Sequence, residues 1–184
     1  SGSCLMGAVD RTRFVPSTLN LLPTIPLEGE LNYLWSVPLD RLESGGVVVT
    51  EDSSLVLDTG SSRFKGGRAI TDRLRNAITD NGRLPATVTS EAALDDYPTI
   101  ELTLGGVRYS LTPRQYFLHL ADSVWQLGVH YLEGLPDEFL LVGTVFLDTV
   151  YSIFYLQTAQ QGGPVVGLAT PVYPPLSVSG IWQN

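Results

Sequence analysis

The sequence predicts a mainly β domain with a few short helices. Glycine, proline and serine recur at intervals of roughly eight to twelve residues, and short runs of β-branched and aromatic residues lie between them. Turn residues alternating with short apolar runs in this way are typical of an all-β domain. The chain has 184 residues, which is enough for one well-buried core and few for two.

Seven segments have the composition of strands. We expect strands at residues 31–39, 47–49, 55–57, 99–104, 107–111, 139–147 and 151–155. Gly45-Gly46 reads as a turn before the second of these segments, and Gly105-Gly106 predicts a tight hairpin between two others. These pairs place turns where the chain must reverse.

Two helices interrupt the strands, and the chain ends in a segment rich in turn residues. Ile70, Leu74 and Ile78 recur at helical spacing, which predicts a helix over residues 70–79 that stops before Gly82. A shorter helix is expected near residues 113–117. Because glycine and proline accumulate after residue 160, we expect residues 1–170 to form the domain and residues 171–184 an extended tail.

The charge balance excludes several classes of partner. Asp and Glu number 19 against 11 Lys and Arg, a formal net charge of −8. A negative surface repels phosphate backbones and anionic lipids, so we expect neither nucleic acid nor a membrane as a partner. The apolar run at residues 139–147 is too short to span a bilayer. Ser1-Gly2-Ser3 is polar where a signal peptide would be apolar, so we expect a mature or excised start.

The sequence indicates neither a metal site nor a cofactor site. Cys4 is the one cysteine, so a disulfide within the chain and a thiolate metal cluster are both excluded. We expect Cys4 to be a buried, inert side chain. No Glu, His or Asp cluster has metal-ligand spacing, and the glycine pairs lack a phosphate-loop lysine. We expect His119 and His130 to be structural or surface residues.

The segment that is a candidate for catalytic chemistry is Ser54-Leu55-Val56-Leu57-Asp58-Thr59-Gly60-Ser61-Ser62. An acidic residue directly after an apolar strand is unfavourable unless its charge is hydrogen-bonded. A turn at Gly60 would supply backbone N–H groups, and the neighbouring hydroxyls would supply further donors. The pattern therefore predicts a rigidly held carboxylate, although the tripeptide Asp-Thr-Gly also occurs as an ordinary turn with a side-chain cap.

Several further segments, in order along the chain, resemble the carboxy-terminal lobe of pepsin-like aspartic endopeptidases. The matching segments are Gly7-Ala8-Val9-Asp10, Leu34-Trp35-Ser36-Val37, residues 97–109, Leu141-Val142-Gly143, Tyr151-Ser152-Ile153-Phe154-Tyr155 and Gly167-Leu168-Ala169. In that family a strand ending in glycine lies against the Asp-Thr/Ser-Gly loop and leaves room for its turn. Phe14-Val15-Pro16 resembles fungal members.

The chain also departs from the family pattern. The family's usual disulfide in this lobe is absent, since Cys4 has no partner. Thr144 stands where the family often has Asp, and Arg63-Phe64 replaces two apolar residues, which we expect to alter that end of the cleft. None of these departures removes the catalytic carboxylate.

The resemblance implies a fold of crossed β-sheets closed into a barrel, with short helices, and an acid endopeptidase activity. In such enzymes two carboxylates share one proton and activate water for peptide hydrolysis. Asp58 would be the catalytic residue, supported by Thr59, Gly60 and Ser61. Gly60 and Ser61 would also bind the substrate backbone, and Val56 and Leu141 would line apolar side-chain pockets. The substrates would be polypeptides.

The chain by itself contains half of this pair. Asp10, Asp52 and Asp148 lack the apolar strand and the hydroxyl-glycine pattern that flank Asp58. The resemblance implies that an amino-terminal lobe, in the same precursor or a companion chain, carries the other aspartate, and that the protein is secreted or vacuolar. Two alternatives remain: a homodimer in the manner of retroviral proteases, or an inactive pepsin-like module that serves as a binding protein or inhibitor.

Overall fold

The computed structural model describes residues 4–27, 29–121, 123–156 and 162–172, and within them the chain is mainly β, as predicted. The strands are β1 (Asn20–Pro23), β2 (Ser36–Ser44), β3 (Val47–Leu57), β4 (Phe64–Gly66), β5 (Thr87–Val88), β6 (Ile100–Leu104), β7 (Val107–Leu111), β8 (Phe117–Ala121), β9 (Val124–Leu127), β10 (Val129–Tyr131), β11 (Leu140–Val142), β12 (Tyr151–Tyr155) and β13 (Val165–Ala169). The helices are α1 (Arg68–Ile78), α2 (Pro113–Tyr116) and α3 (Thr144–Leu147), with 3-10 segments at Pro16–Thr18, Gly29–Leu31 and Glu91–Asp96.

The described strands form three open sheets. The largest has seven strands in the order β10-β4-β11-β3-β2-β6-β7, and the two smaller sheets have the orders β1-β13-β12 and β5-β9-β8. The expectation of several sheets with short helices is confirmed. The expectation of a closed barrel is wrong for the described strands, because each sheet ends in two edge strands that do not pair with each other.

Both predicted glycine turns are present. Gly45 and Gly46 join β2 to β3 with φ of 59° and 78°, and Gly105 and Gly106 join β6 to β7 with φ of 56° and 76°. These left-handed values favour glycine. The strand predicted over 31–39 begins only at Ser36, because the chain first forms a 3-10 turn at Gly29–Leu31. The strands predicted at 47–49 and 55–57 are one continuous strand, β3, whose polar middle lies partly exposed.

The run at residues 139–147, predicted as a strand, divides into two elements. Only Leu140–Val142 is extended, and Thr144–Leu147 forms α3 after Gly143. The predicted helices are confirmed at Arg68–Ile78 and Pro113–Tyr116. Ile70, Leu74 and Ile78 of α1 are buried, as their spacing predicted. They belong to the main core, together with buried residues from the strands of the seven-stranded sheet.

The two ends of the described chain lie together. Phe14 and Pro171 form an antiparallel bridge, and Val15 N–H donates to Thr170 O at 2.9 Å. The predicted tail over 171–184 thus begins against the amino-terminal segment, while residues 173–184 lie outside the described residues. Its division from the domain stays a prediction. Cys4 is exposed, so the expectation that it is buried is wrong. No helix in the described part of the chain is long and apolar enough to cross a membrane.

Candidate active site

Asp58 lies at the end of β3, where three strands meet. β11 is inserted between β3 and β4, parallel to β3 and antiparallel to β4. The loop from residue 58 to residue 63 therefore crosses the end of β11 to join its two neighbours. Asp58 N–H donates to Val142 O at 3.0 Å, which ties the start of the loop to β11. The predicted position of the carboxylate after an apolar strand is confirmed.

The loop supplies a donor to each oxygen of the Asp58 carboxylate. Gly60 N–H donates to Oδ1 at 2.9 Å, and the Ser61 hydroxyl donates to Oδ2 at 2.6 Å. Ser61 N–H closes the turn by donating to Asp58 O at 3.2 Å. Donors directed at both oxygens fix the orientation of the carboxylate. The side chain is half-buried, so one side remains open to water.

Gly143 allows β11 to pass directly beneath this loop. A Cβ atom on Gly143 would lie 1.9 Å from Ser61 O, a distance that no side chain can occupy. Thr144 N–H donates to Ser61 O at 2.8 Å, and Gly143 N–H donates to Arg63 O at 3.0 Å. The packing agrees with the expectation that this glycine leaves room for the aspartate turn. These contacts hold the Asp58 loop from below.

The other predicted loop residues differ in exposure. Thr59 and Gly60 are exposed, whereas Ser61 is buried at 6% exposure. An exposed Thr59-Gly60 edge can meet another molecule or lobe, while Ser61 faces inward to the carboxylate. The roles of Thr59 towards an opposite lobe and of Gly60 and Ser61 towards a substrate stay predictions.

Val56 and Leu141 are neighbours on the two parallel strands β3 and β11. They are in register and 2% and 9% exposed, respectively. With Phe139 they form a small apolar cluster, against which four partly buried leucines pack: Leu27, Leu31, Leu34 and Leu135. The structure therefore places the two predicted pocket residues together, beneath these leucines. Their role in lining a substrate pocket stays a prediction.

Sequence reasoning missed Lys65 on β4. Its ammonium donates to the Ser61 hydroxyl oxygen at 3.1 Å, one hydroxyl away from the Asp58 carboxylate. The available signal was that Lys65 is the one lysine in the sequence and follows Ser61 by four positions. Arg63, expected to alter this end of the site, is half-buried and donates to Gln126 Oε1 at 3.0 Å.

The remaining candidates lie away from the carboxylate chemistry. His119 stacks on Trp125 at 4.5 Å between ring centroids, and His130 is exposed on β10. Both placements fit the structural or surface role expected of the histidines. Trp35 packs edge-to-face on Phe154 at 5.1 Å. Within the described residues, no three His, Cys, Asp or Glu side chains cluster as metal ligands.

Comparisons with known proteins agree with this geometry. The family model for eukaryotic aspartyl proteases matches residues 1–169. Cathepsin E-B of Xenopus laevis is 31% identical over 183 residues, covering 95% of this chain and 43% of that protein. Pepsin A of Sus scrofa is 29% identical, covering 84% and 40%. An aspartic protease of Phaffia rhodozyma is 28% identical, covering 70% and 33%.

The chain thus spans less than half the length of these relatives, while most of its own length is matched. The loop that holds Asp58 and the glycine strand beneath it lie within the matched region. The chain belongs to the eukaryotic aspartyl protease family, of the pepsin-like type.

Proposed function

We propose that this chain is the carboxy-terminal lobe of an acid endopeptidase and that Asp58 is one of its two catalytic carboxylates. The observation that carries the proposal is the Asp58 loop, in which Gly60 N–H and the Ser61 hydroxyl donate to the two carboxylate oxygens. A carboxylate fixed in this way, with one side open, is suited to orient and deprotonate a water molecule.

The second carboxylate comes from an amino-terminal lobe, in the same precursor or in a companion chain. Two facts support this part of the proposal: the sequence contains one Asp-Thr/Ser-Gly, and the chain spans 43% of the length of Cathepsin E-B. Thr59 is exposed beside Asp58, so its hydroxyl is available to the opposite lobe. Among the described strands, β1 and β12 are the edges of a small sheet with no further partner, and an opposite lobe can also cover them.

The chemistry follows from placing two carboxylates in contact. Two like charges that close do not both ionise, so the pair holds one proton between them. The ionised member removes a proton from water as the water attacks the peptide carbonyl. The protonated member donates to the carbonyl oxygen and then assists departure of the amine. Substrates are polypeptides bound in extended form, with their backbone against Gly60 and Ser61.

The site of action is a secreted or vacuolar compartment, where an acidic pH keeps one proton on the pair. The proposal inherits this location from the family resemblance. Apolar substrate side chains would pack near Val56 and Leu141, after displacement of the leucines that cover them.

The test is cleavage of denatured haemoglobin at pH 3 to 5 by the native protein, with and without pepstatin, for wild type, Asp58→Asn and Asp72→Asn. We expect pepstatin-sensitive cleavage that falls about a hundredfold or more in Asp58→Asn, because proton transfer at the carboxylate is lost. Asp72 is an exposed carboxylate on α1, so its variant is the matched control and keeps wild-type activity.

An intact-mass spectrum of the same preparation identifies the second carboxylate's source. A companion chain, or a longer polypeptide with its own Asp-Thr/Ser-Gly, supports the two-lobe proposal. A two-fold dimer of this chain that cleaves haemoglobin would instead indicate the retroviral arrangement. Specific peptide binding without cleavage would indicate a binding module, and the enzymatic proposal would be wrong.

A further inference from the structure

Lys65 places a positive charge beside the candidate catalytic carboxylate. Its Nζ donates to Ser61 Oγ at 3.1 Å, and Ser61 Oγ donates to Asp58 Oδ2 at 2.6 Å. The ammonium and the carboxylate are therefore roughly 5 Å apart, linked by one hydroxyl. Among the described salt bridges none includes Lys65. Its charge is not neutralised by a carboxylate in contact, and Asp58 is the acidic group that it approaches through Ser61.

The direction of both hydrogen bonds follows from the chemistry of the groups. An ammonium donates and does not accept, so Ser61 Oγ is the acceptor from Lys65. The hydroxyl has one hydrogen, and an ionised carboxylate accepts and does not donate. The Ser61 hydrogen is thus directed to Asp58 Oδ2. Asp58 and Lys65 thus occupy the hydrogen and one of the two acceptor positions of the Ser61 hydroxyl, which ties the hydroxyl to both side chains.

We propose that Lys65 is a positioning residue for Asp58: it holds the Ser61 hydroxyl against the carboxylate and places a positive charge beside the pair of carboxylates. In the two-lobe enzyme, on which this inference rests, Asp58 is then the member that deprotonates water, and the shared proton resides on the opposite aspartate. Lys65 does not touch substrate or the reacting atoms in this assignment. It acts through Ser61.

The elements packed against β4 carry other charged groups, and none of them has a described hydrogen bond to Ser61 as Lys65 has. They are His130 on β10, Arg68, Asp72, Arg73 and Arg75 on α1, and Asp137 and Glu138 in the segment leading to β11. β11 itself carries no charged residue. Arg73 pairs with Glu138, Arg75 donates to Val129 O, and Arg68 lies over the Tyr131 ring. His130 is in register with Lys65 and exposed, so its variant is measured separately.

The experiment compares Lys65→Met, which removes the charge, with Lys65→Arg, which keeps it. Arg83→Met is the control for net charge, because Arg83 is 81% exposed and pairs only with Asp80 among the described salt bridges. His130→Gln tests the neighbouring titratable group. For each variant the pH profile of kcat/KM on a peptide substrate is measured with the two-lobe protein.

We expect the acid limb of the Lys65→Met profile to move up by about 0.5 to 1 pH unit, because removing a nearby positive charge makes loss of the first proton from the pair of carboxylates less favourable. The alkaline limb moves less, since the opposite aspartate lies farther from Lys65. Lys65→Arg keeps the acid limb near its wild-type position. Arg83→Met and His130→Gln leave it unchanged. The proposal would be overturned if the acid limbs of the Lys65→Met and Arg83→Met profiles lay at the same pH.

The same profiles separate the two proposals. If the wild-type protein cleaves no peptide at any pH, the proposed function fails, and the assignment of Lys65 fails with it. If the wild type cleaves and the acid limb of Lys65→Met stays at the wild-type position, the inference about Lys65 alone is wrong.

Discussion

Replacing Gly143 by alanine tests whether the strand beneath the Asp58 loop holds that loop in place. The new Cβ would lie 1.9 Å from Ser61 O and 2.2 Å from Ser61 C, both backbone atoms. An unstrained contact between such atoms is about 3.5 Å, so the loop or β11 has to move by about 1.5 Å. The movement weakens the bonds from Thr144 N–H to Ser61 O and from Gly143 N–H to Arg63 O.

The magnitude combines two effects. Overpacking a tight site costs about 1–3 kcal/mol, and each weakened hydrogen bond costs up to about 1 kcal/mol. The free energy of unfolding should therefore fall by about 2–4 kcal/mol. With a urea m-value near 2 kcal/mol/M, the unfolding midpoint falls by about 1–2 M.

The assay is urea unfolding followed by tryptophan fluorescence, with Gly167→Ala as the matched control. A Cβ on Gly167 meets flexible side-chain ends, Leu19 Cδ1 at 3.1 Å and Leu21 Cδ2 at 3.4 Å, together with Ile153 Cβ at 3.5 Å. We expect a midpoint within about 0.3 M of wild type for the control. Equal midpoints for the two alanine variants would refute the reasoning about the Asp58 loop.

Two further predictions concern ionisable side chains outside the Asp58 loop. Tyr116 is fully buried and its hydroxyl donates to Pro98 O; burial, with a smaller effect of Tyr97, raises its pKa above the ordinary range. The stability that Tyr116 contributes is present below about pH 10 and is lost as the pH rises towards the folded value. Tyr116→Phe should thus lower the free energy of unfolding by about 1–2 kcal/mol at pH 8. The difference between wild type and variant should shrink as the pH rises towards 11. A difference that stays the same from pH 8 to pH 11 would contradict this prediction. The hydrogen bond from Arg73 lowers the pKa of Glu138, so its stabilisation is present above about pH 4.5 and is lost as the pH falls through the folded value. The Arg73 and Glu138 side chains are 42% and 60% exposed, so Glu138→Gln should lower the free energy of unfolding by only about 0.2–0.5 kcal/mol at pH 7 and not at all at pH 2. An equal loss of stability at both pH values would exclude the ion pair as its source.

Local sequence signals predicted the elements whose structure depends on neighbouring residues. The hairpin at Gly105-Gly106 needs two residues with positive φ, and the helix over 68–78 needs one apolar face. Both elements can therefore be predicted from the local sequence alone. The Asp58 turn is equally local, since its donors are Gly60 and Ser61. The family resemblance then extended this turn to its packing partner, Gly143.

The features that could not be predicted from the sequence depend on long-range packing. Residues 139–147 form one apolar run, and the strand ends where Gly143 passes close to Ser61 O, one residue before α3 begins. Lys65 lies on a three-residue strand that pairs with β10 and β11, far away in sequence. No local pattern directs its ammonium to Ser61. The continuity of β3 likewise depends on its pairing with β2 through a polar middle section.

The most direct test of the central claim is an experimental structure of the native protein bound to pepstatin. The account predicts a second carboxylate, contributed by another lobe, within about 3 Å of the Asp58 carboxylate, so that the two share one proton. It also predicts that the inhibitor lies against Gly60. A structure in which Asp58 faces solvent, or pairs with no other carboxylate while pepstatin binds elsewhere, would contradict the account.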